Sequence, residues 1–443
     1  MNKQLRNLWF VIGLGMSWRI VASLNVSEAI VFASAFFIIP NEYPFMEKSG
    51  VVTFFWLSVM VVFGCLVAVI ANHTPLFLAL RGFAATGIVV CSIPFSHFLI
   101  RKDPGGFKWM LLGFAIATAI KTVSVYLSGV LGIMAYDPLF WKSRVYTFCM
   151  TPVTGWYLCI PQILCFLLPF IVVVFSLTKT ISGRGTALGC LFFVIIAFIG
   201  GHTRMKMSRF CRHFWWFSLC GMLLIFGLKS IYQEAATKGW MGERATAKYH
   251  MQTKGGKSIG RLLLGGRGES FVGLLACRDK PIIGFGPWAV DHGSAYKQEF
   301  LMKYGTDEDI VALDRAESNP NNFRAGERLI SCHSHITEFW LWYGIFGLIF
   351  WLYYIFVMIR YLKEDCYVVP QWFAWLACSI PSILWNVFFN PFSMRIVLPM
   401  QAVACLMTRA IKRGVFRLPP DMLFEIDKAE GREIIRGMRK RRE

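Results

Sequence analysis

Residues Val51 to Ile70 read VVTFFWLSVMVVFGCLVAVI, an uncharged run of 20 positions. At about 1.5 Å of rise per residue, a helix of that length covers roughly 30 Å, the thickness of a bilayer's hydrocarbon core. The run is apolar on every side and does not alternate, so its backbone must satisfy itself within the segment; it reads as a membrane helix and not as a barrel strand. Trp156–Leu177 and Ile336–Ile359 repeat the pattern. The whole chain agrees with its most apolar piece. Of 443 residues, 56% are hydrophobic, 16% aromatic and 16% charged, with a mean hydropathy of +0.52. One soluble core cannot hide that much apolar surface, which excludes a water-soluble globular protein. The formal charge of +20 would point to nucleic acid in a soluble chain. Here the bases sit largely between apolar runs, as in cationic membrane loops, so a lipid bilayer is the expected partner and nucleic acid is not.

Further apolar runs extend outward from this stretch. Together the candidate spans are 8–24, 26–40, 51–72, 82–100, 107–130, 156–177, 185–201, 214–232, 336–360, 371–389 and 394–411. The expected fold is therefore an all-α polytopic membrane protein with about 11–12 transmembrane helices. Leu8–Leu24 contains Arg19 and no small-residue cleavage site, so it reads as a retained span. The Lys3/Arg6 end, the basic connection at 202–213 (Arg204, Lys206, Arg209, Arg212) and the tail after Lys412 read as cytoplasmic. That puts residues 233–335, the long polar stretch, on the outer face. The count does not close: eleven spans leave the termini on opposite sides, and Arg101, Lys102 and Lys108 fall on the disfavoured side. A miscounted span before residue 184 is the expected cause.

The domain reading is an N-terminal transmembrane bundle (1–232), an outer loop (233–335), C-terminal transmembrane helices (336–411) and a basic tail (412–443). The loop's mixture of Gly, Lys, Arg and Asn predicts short helices lying over the bundle. The tail ends Arg439-Lys440-Arg441-Arg442 and reads as a solvated or headgroup-touching helix. Cys277 and Cys332 both fall in the outer loop, where an oxidising compartment would permit them to pair.

Chemistry concentrates where the outer loop re-enters the membrane, at Ser331-Cys332-His333-Ser334-His335-Ile336-Thr337-Glu338. A histidine there is reachable by water-borne and lipid-borne substrates, and its unperturbed pKa near 6.5 suits proton abstraction. The alternative is a histidine cluster that merely tolerates the headgroup zone. Gly344 and Gly347 follow, spaced to admit a neighbouring helix closely. Glu338 is a candidate to orient His335 or to accept a sugar hydroxyl, against simple interfacial solvation. Arg184, Arg261, Arg267 and Arg395 are all read at outer positions, where guanidinium forks can hold pyrophosphate; each singly also fits a snorkelling interfacial arginine. Lys280-Pro281-Ile282-Ile283-Gly284-Phe285-Gly286-Pro287-Trp288 predicts a tight turn beside a large ring. Trp288, Trp340 and Trp342 are candidates for stacking on sugar or isoprenoid, or for an interfacial belt. Lys121, inside a span, stays open. No Cys/His spacing suits zinc and no Asp-x-Asp pair offers Mg²⁺ a cage, so neither a metal nor a cofactor is expected.

His333-Ser334, then nine residues, then Gly344-x-x-Gly347 resembles the His-[Asn/Ser/Gln]-x9-Gly-x-x-Gly pattern of the bacterial O-antigen ligase and O-antigen/exopolysaccharide polymerase superfamily. The Pro281–Gly286 turn and Ser182-Gly183-Arg184-Gly185 are similar to two further segments of that family, although Ser-Gly-Arg stands for a direct Ser-Arg. The convincing portion runs from about residue 178 to 350. The resemblance implies a GT-C-like bacterial inner-membrane enzyme with one large periplasmic loop carrying the active site. It implies transfer of glycan from a polyprenyl-pyrophosphate carrier to an acceptor hydroxyl, with His333 as base and Arg184 and Arg267 on the pyrophosphate. The acceptor would be a second lipid-linked glycan or lipid A core, and other polysaccharide-assembly proteins are implied partners. The competing class is a non-enzymatic transporter or flippase, which needs ionisable groups inside the bilayer; the sequence reading places them at the outer face instead.

Overall fold

The computed structural model describes residues 19–21, 24–102, 109–110, 113, 234, 238–240, 270–292, 294–304, 327–330, 332–363 and 397–413, with single positions between 379 and 392. The expected spans at 156–177, 185–201 and 214–232, the connection at 202–213, Lys121 and the tail beyond Arg413 lie outside the described residues. A short hairpin, β1 (Arg19–Val21) with β2 (Leu24–Asn25), leads into α1 (Val26–Ser49), α2 (Val52–Ala71) and α3 (Leu76–Lys102). Then come α4 (residues 270–279), β3 (Val290–His292), α5 (Ala295–Tyr304), β4 (Glu327–Leu329), α6 (His335–Tyr343), α7 (Ile345–Lys363) and α8 (Val397–Arg413). Strands β3 and β4 pair antiparallel, Val290 opposite Leu329 and His292 opposite Glu327. Among the described residues three helices, α1 to α3, are long and apolar enough to cross a membrane.

The helices sort their side chains by surroundings. On α2, Trp56, Met60, Phe63, Leu66 and Ile70 recur every three or four residues and stand exposed, while Phe54, Ser58, Val61, Cys65 and Ala68 are buried. Ile349, Leu352, Phe356 and Ile359 form the same exposed apolar stripe on α7. An outward apolar stripe of this kind fits lipid and not water. Between these helices Phe54 meets Phe350, Tyr353 and Tyr354 edge-on, with centroids 6.3, 4.9 and 5.5 Å apart. Edge-on pairs are worth about 0.5–1.5 kcal/mol each, and packing of this sort is what holds helices together where lipid is as apolar as leucine.

Several sequence expectations need correction. The apolar run 26–40 continues as helix through Pro40 and Pro44 to Ser49. A proline inside a helix normally costs about 3 kcal/mol; here the extra turns carry Glu42 into contact with His97 and Arg101 of α3. The end of the expected first span is strand, because Arg19–Val21 pairs with Leu24–Asn25. The single span 336–360 is two helices broken at Gly344, where φ is +62°. The described part of 233–335 contains two short helices, α4 and α5, and also the unexpected β3–β4 pair. Cys277 and Cys332 are both buried and are not joined in a disulfide. Arg101 does not lie opposite the C-terminal basic end: it shares the Glu42–His97 cluster with Arg409 of α8.

Candidate functional site

Two of the three segments that carry the resemblance, 281–286 and 333–347, are bonded together at the end of α6. Helix α6 ends at Tyr343, so its last carbonyls have no partner within the helix. The turn at 281–286 supplies donors: Phe285 N–H donates to the Leu341 carbonyl at 2.6 Å and Gly286 N–H to Trp342 at 3.1 Å. In return Ile345 N–H donates to Ile282 O at 3.0 Å, and the Trp340 indole N–H to Pro281 O at 2.8 Å. The glycines follow from this closeness. Gly284 has φ +79°, and a Cβ there would lie 2.6 Å from the Gly344 nitrogen; a Cβ on Gly344 would overlap the Ile282 carbonyl. Gly286, with φ +86°, abuts the Thr74 hydroxyl at the end of α2. Gly347 accommodates the Phe339 carbonyl, closing the corner between α6 and α7. The glycine pair therefore builds a corner, where the sequence reading expected one helix face.

Ser334 caps α6. Its hydroxyl oxygen accepts from Thr337 N–H at 3.3 Å and donates its proton to Val387 O at 2.9 Å. The position after His333 thus needs a small side chain that both accepts and donates. His333 precedes the cap and is half-buried, and its carbonyl accepts from the Ser270 hydroxyl of α4 at 3.2 Å. His335 has no exposed surface and packs against the rings of Trp351 and Phe392, 5.3 and 5.6 Å away. Of the two histidines, His333 is the accessible one. The Glu338 carboxylate accepts from Phe392 N–H at 2.6 Å, which binds the segment before α8 to α6.

Trp288, at φ +54°, is engaged by the Arg81 guanidinium 4.0 Å from its ring and by the Trp342 ring at 4.7 Å. With Trp340 bonded to the Pro281 carbonyl, all three tryptophans have protein partners. Arg184, Arg261, Arg267 and Arg395 lie outside the described residues.

Sequence reading missed a cavity of about 540 Å³ between the α2–α3 connection and residues 279–299. Asn72, Asp279, Lys280, Trp288, His292 and Tyr296 are among its lining residues. The Asn72 side-chain N–H₂ donates to Gly284 O at 3.0 Å, and Lys280 donates to Asn72 Oδ1, so the wall is tied to the weld. Tyr296 donates its hydroxyl proton to Asp279 at 2.9 Å, holding that carboxyl below the usual carboxylate range, while burial and the same bond raise the Tyr296 phenol. Arg278 forks onto both oxygens of Glu299 at 3.0 and 3.2 Å. Polar residues interrupting the apolar pattern at Asn72 and Thr74 were the available signal. Among the described residues, no cluster of His, Cys, Asp or Glu suits a metal.

A second unforeseen cluster sits at the other end of α2 and α3, inside the helical bundle. Glu42, His97, Arg101 and Arg409 are each at most 7% exposed. His97 Nδ1 lies 2.9 Å from Glu42, its Nε2 lies 3.3 Å from Arg409, and Arg101 donates to both Glu42 oxygens. The sequence reading, which gathered the ionisable candidates at the outer face, did not anticipate this buried set. Compared with protein-family models, curated proteins and solved structures, the chain matches none.

Proposed function

We propose that the chain is a membrane glycosyltransferase of surface-polysaccharide assembly, an O-antigen or exopolysaccharide polymerase or an O-antigen ligase. The observation that carries this reading is the weld: the Lys280–Trp288 turn and the Trp340–Ile345 corner are bonded to each other, and α6 joins that corner to the half-buried His333 at its opposite end. In the proposed reaction His333 takes the proton of an acceptor hydroxyl as its oxygen attacks the anomeric carbon. The bond from that carbon to the carrier's phosphate oxygen breaks, and the polyprenyl pyrophosphate departs with the electron pair. Arg184 and Arg267, with Arg261 and Arg395 as further cations, hold the departing charge. A positioned base contributes about 10²–10⁴-fold, and fixed cations where charge develops add more. A pyrophosphate is already a good leaving group, so the scheme needs no metal.

Sidedness follows from charge. Lys48, Arg101, Lys102 and Arg409 mark the end of α1 and α3 away from Asn72, and by the positive-inside rule that end faces the cytoplasm. The Asn72 end, with the weld and the cavity, would then face the periplasm across an inner membrane. The decisive experiment is reconstitution of purified protein with lipid-linked donor and acceptor, read by gel or mass. Longer or newly ligated glycan is expected, lost in His333→Ala and Arg267→Ala with the protein still folded in the membrane; full activity in either variant removes that residue's role. The enclosed Glu42 cluster is the observation that favours the second reading, a transporter or flippase. That reading predicts movement of the lipid-linked glycan between leaflets with no change in its length.

A further inference from the structure

Three features stand outside the weld: the Glu42–His97–Arg101–Arg409 cluster, Arg81 on Trp288, and the cavity of about 540 Å³. The first is closed off by its own members. The second is one contact at the edge of the third. The cavity combines ligand-sized volume, apolar rings and a polar lining.

We propose that this cavity is a saccharide subsite, taking the sugar units of a neutral or N-acetylated glycan while excluding its pyrophosphate. The proposal deepens the glycosyltransferase reading and rests on it for the ligand's origin. Its volume falls within the usual range for small-molecule sites of about 300–1,000 Å³. Its walls come from chain segments more than 200 residues apart, Asn72–Leu78 and Asp279–Glu299, fixed to each other by the Asn72–Gly284 bond. Among the described residues, the three non-glycine positions with left-handed φ, His73 (+48°), Trp288 (+54°) and Ser294 (+53°), all line it or adjoin its lining. Each such residue is strained and persists only where surrounding structure enforces it. Strain of this kind collects at sites that must hold a shape for a ligand.

The lining chooses the chemistry. Of the side chains that line the cavity, Asp279, Asp291 and Glu299 are acidic and Lys280 is basic; Arg278 bridges Asp279 and Glu299 from beside them and Arg81 lies over Trp288 at the edge. An acidic lining repels phosphate. Carboxylate oxygens that already accept one bond keep a lone pair for a hydroxyl proton, and Lys280 and His292 add polar contacts on the same wall. Phe285 and Tyr296, edge to face at 6.0 Å, provide apolar surface for the C–H side of a pyranose ring. Hydroxyl acceptors beside aromatic carbon match a polyol, and neither feature suits an anion.

The test uses full-length protein in lipid nanodiscs. Binding of free trisaccharides, one of neutral hexose, one of N-acetylhexosamine and one of uronic acid, is measured beside inorganic pyrophosphate. Saturable binding of a neutral or N-acetylated trisaccharide, unaffected by pyrophosphate, is expected. Ala295→Trp, which fills the cavity from an exposed lining position, should weaken it by at least about tenfold, and Asp279→Asn by about tenfold, the effect of one charged hydrogen bond. Tyr296→Phe keeps the ring and serves if Ala295→Trp disturbs folding; it too should weaken binding. Undiminished affinity in these variants, a preference for uronic acid or pyrophosphate, or no saccharide binding overturns the proposal. His333→Ala separates the two ideas: it should bind trisaccharide like the parent while losing transfer. Binding with no transfer in the parent sinks the enzyme and keeps the subsite, whereas transfer undisturbed by Ala295→Trp does the reverse.

Discussion

At the Ser49 end of the bundle, Glu42, His97, Arg101 and Arg409 close on one another; at the Asn72 end, Lys280, His292 and Tyr296 line an open cavity. The ends of α2 lie about 30 Å apart at 1.5 Å per residue, and they handle polar groups in opposite ways. In the closed cluster each charge is answered by another protein group: the Glu42 carboxylate accepts from Arg101 and His97, and His97 also meets Ser49 and Arg409. Three helices, α1, α3 and α8, are fastened together by it. At the open end backbone bonds make the weld, and side-chain bonds such as Tyr296–Asp279 and Lys280–Asn72 shape a wall that still borders a void. Saturation and burial make a fastener; partial satisfaction around a void makes a place for chemistry.

Breaking the fastener should have the largest effect on stability. Glu42→Gln leaves Arg101 buried without its counter-charge, which costs about 3–5 kcal/mol; a large fall in the thermal midpoint in nanodiscs is expected. Replacing Glu42 and Arg101 together with leucine should restore much of it, since matched apolar groups remove the stranded charge. A double variant as unstable as the single one would mean the cluster does more than fasten.

The corner comes next. Gly344→Ala puts a side chain where φ is +62° and where the Ile282 carbonyl already sits, at a cost of about 1–3 kcal/mol in backbone strain. The expected readout is undocking of the 281–286 turn, seen as faster hydrogen exchange at the Phe285 and Gly286 amides, with transfer activity falling in step. Unchanged exchange would show that the weld does not depend on this glycine. A smaller loss, about 1 kcal/mol, is expected for Ser334→Ala, which removes the cap of α6. Ser334→Asn should recover most of it, because the amide can also accept and donate; thermal midpoints of the pair decide this.

Acidification should have the mildest effect, confined to the cavity wall. Asp279 has a folded pKa below its unfolded value, chiefly through the Tyr296 hydroxyl. Its contribution is therefore fully present above the ordinary carboxylate range and is lost as pH falls through the depressed value. Hydrogen exchange in α5 should rise there while α2 and α3 stay protected. Equal loosening of both regions would erase the distinction between them.

The helices were legible wherever hydropathy alone decides. Val52–Ala71 falls almost where the run 51–72 places it, because every residue in it prefers lipid or packing to water. Prediction failed where a distant partner intervenes. Pro40 reads as a stop, yet α1 runs on to Ser49 with Glu42 held by His97 and Arg101, 55 and 59 residues away. Gly344 reads as one of a pair on a helix face, yet it breaks the helix because the 281–286 turn docks there. For the site, the histidines and the glycine turn were visible as residue types, and their union was not. No local pattern separates His333 from His335, whereas burial does.

What the chain determines by itself is its solvent and its helix-forming stretches, since apolar runs of spanning length carry that information one residue at a time. What only the tertiary structure decided is which polar groups meet: the closed cluster, the weld and the cavity each join residues 50 to more than 300 positions apart. Hydrophobicity is additive and non-directional, so it can be read along a line. Hydrogen bonds and ion pairs depend on distances of about 3 Å in space, and those exist only once the helices have packed.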